Sequence, residues 1–155
     1  MQLNYSEDEL RLNWILNEMI DSTQGLKNAI IIDDAGYTIL SHSKLKNLYE
    51  NYDIVDKIGA IGCANFLAGE EQGQILGYGE TNLQITEYDE GIVFTTKVGK
   101  GILCLTADKS VYIDYIRTII KKWAPQITII LQNYLVPKNI EMKSSLKGLL
   151  NPHLN

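Results

Sequence analysis

Residues 28–41 read Asn-Ala-Ile-Ile-Ile-Asp-Asp-Ala-Gly-Tyr-Thr-Ile-Leu-Ser, and this stretch decides the fold. A β-branched run, a polar turn and a second β-prone run predict two antiparallel strands joined as a hairpin. Asp33 is expected to bond the turn backbone, and Gly36 to supply the positive φ that the turn needs. This role in the turn explains Asp33 more simply than does the alternative, in which Asp33 and Asp34 form a pair of catalytic carboxylates. Three consecutive isoleucines indicate a central strand buried on both faces.

A helix is predicted before this hairpin. Ser6 and Glu9 have the spacing of a capping box, in which each side chain bonds the backbone N–H of the other residue. Apolar residues then recur at helical spacing as far as Ile20, and Gly25 is a natural stop. The pattern predicts a helix with one buried stripe.

A second helix is predicted from about Tyr52 to Leu76, despite four internal glycines. At 100° per residue its apolar side chains form two stripes, although a surface helix needs only one. One stripe contains Ile54, Val55, Ile58, Ile61 and Leu76. The other contains Ala60, Cys63, Ala64 and Leu67. We expect this second stripe to have no packing partner within the chain, and therefore to form an interface.

Three further strands and a long helix complete the pattern. The strands are predicted at 83–88, 92–98 and 102–107, separated by turns at 89–91 and 99–101. In the last helix, apolar residues stay in phase across Pro125, and Val136-Pro137 is expected to end it. Residues 127–130 also have strand propensity, so a strand there is an alternative. The predicted organisation is one domain at residues 1–135 and a C-terminal extension at 136–155, peripheral to the core.

The predicted order is αββαβββα, an α+β class, and here the chain resembles the roadblock / dynein light chain family. The residues that carry the resemblance are 28–41, with the strand, the Asp-x-x-Gly turn and the second strand, and 79–107, with the three-stranded meander. It covers about Glu9 to Leu135. The resemblance implies a five-stranded antiparallel sheet, with the first and last helices on one face and the middle helix on the other. This is a roadblock or profilin-like α/β sandwich.

The resemblance also implies a function. Members of this family typically form dimers by pairing their middle strands and middle helices. They serve as platforms for Ras-like small GTPases, in GTPase-activating or exchange complexes, or as motor light chains. The expected partners are therefore a second copy of this chain and a small GTPase. The expected interface residues are Ala60, Cys63, Ala64, Leu67, Leu83 and Ile85.

Composition argues against several other classes of function. The net charge of -5 does not suit a nucleic-acid surface. Cys63 and Cys104 are too few, and too far apart, to predict a metal site, and both are expected to be buried free thiols. No apolar run approaches the length of a membrane span, and the first residues do not resemble a secretory signal. We therefore expect a cytoplasmic protein with no cofactor and no catalytic residues.

Two alternatives to a GTPase scaffold remain. A small-molecule sensor of the PAS or GAF type also combines helices with an antiparallel sheet, and it requires a cavity lined by polar groups. The apolar candidate core favours a filled interior instead. A longin-like or profilin-like module has a similar fold and again binds proteins.

Overall fold

A computed structural model describes residues 6–44 and 52–150, with the side chains of residues 6–44 and 53–133. Within these residues the elements follow the predicted order, αββαβββα. They are α1 (Glu7–Ser22), β1 (Leu26–Ile32), β2 (Thr38–Ser43), α2 (Tyr52–Ile75), β3 (Gln84–Tyr88), β4 (Gly91–Val98), β5 (Gly101–Asp108) and α3 (Ile113–Leu150). The predicted fold class is confirmed.

In the described chain, the five strands form one antiparallel sheet in the spatial order β2-β1-β5-β4-β3. β1 and β5 are central, and Ile30, Ile31 and Ile32 are fully buried. This confirms that the isoleucine run is a strand covered on both faces. β3 lies at one edge of the sheet and pairs along one side with β4.

The two faces of the sheet carry separate cores. The larger core packs α1 and α3 against one face, and Trp14 of α1 meets Trp123 of α3 edge to face, with ring centroids 5.8 Å apart. The smaller core packs α2 against the other face through Val55, Cys63 and Phe66. The helices are therefore divided between the faces as the resemblance implied.

The turn between β1 and β2 forms as the sequence predicts. Asp33 Oδ1 accepts hydrogen bonds from the backbone N–H groups of Ala35 and Tyr37, at 3.0 and 2.9 Å. Gly36 has a φ of 89°, a conformation that side-chain-bearing residues rarely adopt. The Asp33 carboxylate is thus engaged in holding the turn.

Glycines allow α2 to lie unusually close to the sheet. A Cβ atom on Gly59 would come within 3.3 Å of Ile32 Cγ1 and Thr38 Oγ1, and one on Gly62 within 3.4 Å of Cys104 Sγ. Both glycines are buried. Each costs helix propensity of up to ~1 kcal/mol relative to alanine, and close packing on the sheet offsets that cost.

α3 is longer than predicted. It runs without a break from Ile113 to Leu150, so the expected end at Val136-Pro137 is wrong, and residues 127–130 are helical rather than a strand. Proline removes one helical hydrogen bond, but extending an existing helix is far easier than starting one. The Lys-, Met- and Leu-containing run at 138–150 also favours helix.

Because α3 continues past residue 135, the predicted boundary between the domain and its extension depends on which α3 side chains pack in the core. Leu131 is the last α3 side chain that is described as buried in the core. Residues 151–155 lie outside the described chain. The division at 135/136 therefore remains a prediction.

Deleting residues 136–155 should leave the fold and the oligomeric state intact, because the α3 side chains that are described in the core, from Ile116 to Leu131, all precede the deletion. The thermal midpoint, followed by circular dichroism, should fall by only a few degrees. Light scattering on the same sample reports the oligomeric state. Loss of folded protein after this truncation would show that the extension belongs to the core.

Candidate protein interaction site

The outer face of α2 carries large apolar side chains that nothing in the described chain covers. Val55, Cys63 and Phe66 lie on the opposite face, buried against the sheet. The exposed large apolar side chains of α2 are Ile54, Ile61, Leu67 and Ile75. Several large exposed apolar side chains on one helix suit a protein interaction site.

The structure divides the predicted α2 interface stripe between two environments. Ala60, Ala64 and Leu67 are exposed, as an interface requires of the single chain. Cys63 is buried, and its Sγ lies 3.9 Å from the backbone oxygen of Asp33. The expectation that Cys63 lacks packing within the chain is therefore wrong, because this residue faces the β1–β2 turn.

The two predicted strand residues lie on the other side of the sheet. Leu83 and Ile85 are half-buried and pack against the core formed with α1 and α3. Their side chains therefore do not join the outer face of α2. Ile85 still belongs to the edge strand β3, where its backbone is available for pairing.

Burial makes both cysteines poor nucleophiles. Desolvation raises the pKa of the Cys104 thiol to about 12. Desolvation also raises the pKa of Cys63, with a further contribution from the negative charges of Asp33 and Asp34. Both thiols are free, and both are protonated at neutral pH.

An open groove separates α2 from the outer strands. α2 packs mainly over β1 and β2 and less over β4 and β5, so the described helices leave this face of the sheet open toward the β3 edge. The resulting groove has a volume of about 280 Å³. It is lined by Ile58, Ile61, Gly62 and Asn65 of α2 and by Gln84, Thr86, Tyr88, Val93, Thr95 and Thr106 of the sheet.

None of these groove residues is among the six interface residues predicted from the sequence. Gln84 and Thr86 alternate with Leu83 and Ile85, which already predicts one wet side for this strand. That polar side faces the groove, and it is the signal that could have identified the site. A sequence alone does not show which helix shares a face with it.

Hydrogen bonds link α2 to β3 and to the segment that precedes β3. Gln84 Nε2 donates to the backbone oxygen of Asn65 at 3.3 Å, and Gln84 Oε1 accepts from Thr95 Oγ1 at 3.3 Å. Glu70 Oε1 accepts from the backbone N–H of Thr81 at 3.1 Å. The groove walls are therefore held in place before any partner binds.

Another recess lies on the far side of α2, with a volume of about 550 Å³. Its lining includes Asp34, Leu67 and Glu71 on one side and Lys97 and Lys100 on the other. This recess and the groove beside β3 both open at the surface. Neither is the polar cavity enclosed between sheet and helices that a PAS-type or GAF-type sensor requires.

Among residues 6–44 and 53–133, no three His, Cys, Asp or Glu side chains are grouped as a metal ion would require. Over the same part of the chain, no helix is both long enough and apolar enough to cross a bilayer.

Comparison with known proteins identifies relatives in sequence and in structure. No family model matches the chain. Two uncharacterized proteins of Methanocaldococcus jannaschii are each 27% identical to it over 108 residues, which is 70% of this chain and 90% of theirs.

Solved structures share the fold. The gliding protein MglB from Thermus thermophilus superposes with a TM-score of 0.74 at 16% identity, over 83% of this chain and 94% of that one. MglB of Myxococcus xanthus gives 0.71 at 19% identity, over 85% and 96%. A Roadblock/LC7 domain from Streptomyces avermitilis gives 0.66 at 16%, over 79% and 96%. The chain has the roadblock fold, as the resemblance implied.

Proposed function

We propose that this protein is a cytoplasmic, non-enzymatic homodimer that acts as a scaffold or regulator for a Ras-like small GTPase. The observation that carries the proposal is a combination of three features. The outer side of the edge strand β3 pairs with no described strand, an open groove lies beside it, and α2 exposes large apolar side chains. Two buried free thiols fit a reducing compartment.

A second copy of the chain is the partner that suits the groove. Ile58 and Ile61 lie on one wall, and the edge of β3 lies beside the other. A two-fold symmetric mate would cover the apolar residues and pair the strand edge in a single interface. The roadblock resemblance implies the same arrangement.

A GTPase is proposed as the second partner on the basis of the roadblock resemblance. In such a dimer the flank of α2 with Ala60, Ala64 and Leu67 stays open, and two copies of it form one platform. Small side chains there permit close approach of another protein. The platform would act in a GTPase-activating or exchange complex, or as a light chain of a larger assembly.

The chain is not proposed to contribute catalytic groups of its own. Its two arginines, Arg11 and Arg117, lie on α1 and α3, across the sheet from α2. An arginine finger from this chain would therefore not come from the proposed platform. Any effect on nucleotide hydrolysis or exchange would act on the machinery of the GTPase itself.

Affinity capture from a lysate of the source cells tests the GTPase proposal. The bait is the purified protein, and the lysate is loaded either with a non-hydrolysable GTP analogue or with GDP. We expect a small GTPase with a phosphate-binding loop to be enriched in one nucleotide state. The purified pair should then reproduce binding with the same preference.

Two variants of Leu67 make this test specific. Leu67→Glu alters the proposed platform, whereas Leu67→Met keeps its size and apolar character. Leu67→Glu should lose the captured GTPase and Leu67→Met should retain it. Equal capture by both variants, or no GTPase in either state, would contradict the proposed partner.

A further inference from the structure

The direction of the backbone groups along β3 restricts how a second copy can pair with it. Tyr88 pairs with Gly91 across a two-residue turn, so these two residues exchange both of their backbone hydrogen bonds. Hydrogen-bonded and open positions alternate, so Thr86 also directs its N–H and C=O toward β4. Ile85 and Glu87 direct theirs to the free edge, where no described strand meets them.

The position of the groove restricts which two-fold axis can relate the two copies. The groove lies between α2 and β3 on one sheet face, so a mate that closes it must place its own α2 on that same face. A two-fold axis perpendicular to the sheet satisfies this condition. Because strand side chains alternate with a period of two, such an axis must pass through a residue rather than between residues. An axis at Gln84 or Tyr88 would pair only that one residue of β3 with β3 of the mate. The remaining candidates within β3 are Ile85, Thr86 and Glu87.

Charge and strand length choose between these three residues. An axis through Glu87 would set two carboxylates directly opposite each other, which destabilises a strand pair. An axis through Ile85 would leave Glu87 and Tyr88 opposite residues 83 and 82, outside the strand. An axis through Thr86 pairs all five residues of β3, with a threonine pair at the centre.

We propose that the dimer axis passes between the two copies of Thr86, which lie directly opposite each other. β3 then pairs antiparallel with β3 of a second copy over Gln84–Tyr88. This inference rests on the proposed self-association and specifies its register. Ile85 of each copy then lies opposite Glu87 of the other, and the pair exchanges backbone hydrogen bonds. Tyr88 of the second copy lies opposite Gln84, on the face of the groove.

The register makes the groove a shared site. Gln84, Thr86 and Tyr88 all line it in the single chain. In the dimer the Tyr88 ring of each copy lies beside Gln84 of the other copy and extends the wall of that copy's groove. The groove is therefore complete only when two chains are paired.

Disulfide cross-linking distinguishes the registers. Three variants, Ile85→Cys, Thr86→Cys and Glu87→Cys, are each oxidised mildly and run on a non-reducing gel. In the Thr86 register, two Thr86 residues form a non-hydrogen-bonded pair with Cα atoms about 4.5 Å apart, within disulfide range. Paired copies of Ile85 or Glu87 would be about 8 Å apart, beyond that range.

We expect Thr86→Cys to form covalent dimer at least about tenfold faster than the other two variants, because only its cysteines meet disulfide geometry. The wild-type protein gives the background, which should be low because Cys63 and Cys104 are buried. Light scattering under reducing conditions establishes whether each variant is still a dimer.

The possible failures are distinguishable. Preferential cross-linking at position 85 or 87 would overturn the Thr86 axis while leaving the dimer in place. Dimers that cross-link at none of the three positions would show that self-association does not use the β3 edge. A wild-type protein that is monomeric at micromolar concentration would contradict the proposed homodimer itself.

Discussion

Replacing Ile61 with glutamate should convert the proposed dimer into a monomer of 17.5 kDa. Ile61 is 60% exposed in the single chain and lines the groove beside β3. Dimerisation through this groove would bury the new carboxylate without a partner, at a cost of several kcal/mol. The fold itself should persist, because glutamate is a good helix former and the site is open in the monomer.

Ile129→Glu is the matched control. Ile129 is 61% exposed and also lies on a helix, but α3 covers the opposite face of the sheet. Light scattering across a concentration series should give a dimer for Ile129→Glu and a monomer for Ile61→Glu, with equal helix content by circular dichroism. If both variants dimerise alike, the groove is not the interface.

The local elements of the fold were predictable because local interactions determine them. The N-cap at Ser6 is present, with Ser6 Oγ accepting from the Glu9 N–H at 3.2 Å. The Asp33 turn and the buried isoleucine strand also follow from residues that are neighbours in sequence. The division of helices between the two sheet faces came instead from the family resemblance.

The orientation of α2 was less predictable. The helical period gives the angle of each α2 side chain around the helix axis, and these angles are enough to recognise two apolar faces. Which face meets the sheet depends on distant residues, such as Cys104 beneath Gly62 and Ile32 beneath Gly59. As a result, periodicity alone groups Val55 with residues that are exposed and assigns Cys63 to the outer face.

The end of α3 was missed for a related reason. Pro137 is a local stop signal, but the helix arrives there already formed, with its earlier turns packed against α1 and the sheet. Propagation from those turns then competes with the cost of one proline, about 3 kcal/mol. A prediction from the residues around Pro137 does not include the stabilisation that the preceding turns of α3 provide.

Phe66→Ala should lower the free energy of unfolding by about 3–5 kcal/mol, the usual cost of truncating a buried phenylalanine. Phe66 is 1% exposed and belongs to the small core that attaches α2 to the sheet. The described core on this face is much smaller than the one beneath α1 and α3, so few neighbouring side chains remain to hold the helix. The loss is large relative to the ~5–15 kcal/mol stability of a typical domain.

Leu67→Ala is the control for this substitution, because Leu67 follows directly in the same helix and is 50% exposed. Its removal should change the unfolding free energy by less than about 1 kcal/mol. Urea titrations at equal protein concentration compare the variants, since the proposed dimerisation would make the free energy of unfolding depend on protein concentration. Because α2 carries the proposed interface, Phe66→Ala should also weaken self-association, and Leu67→Ala should not. Equal destabilisation by the two variants would mean that α2 is oriented differently on the sheet.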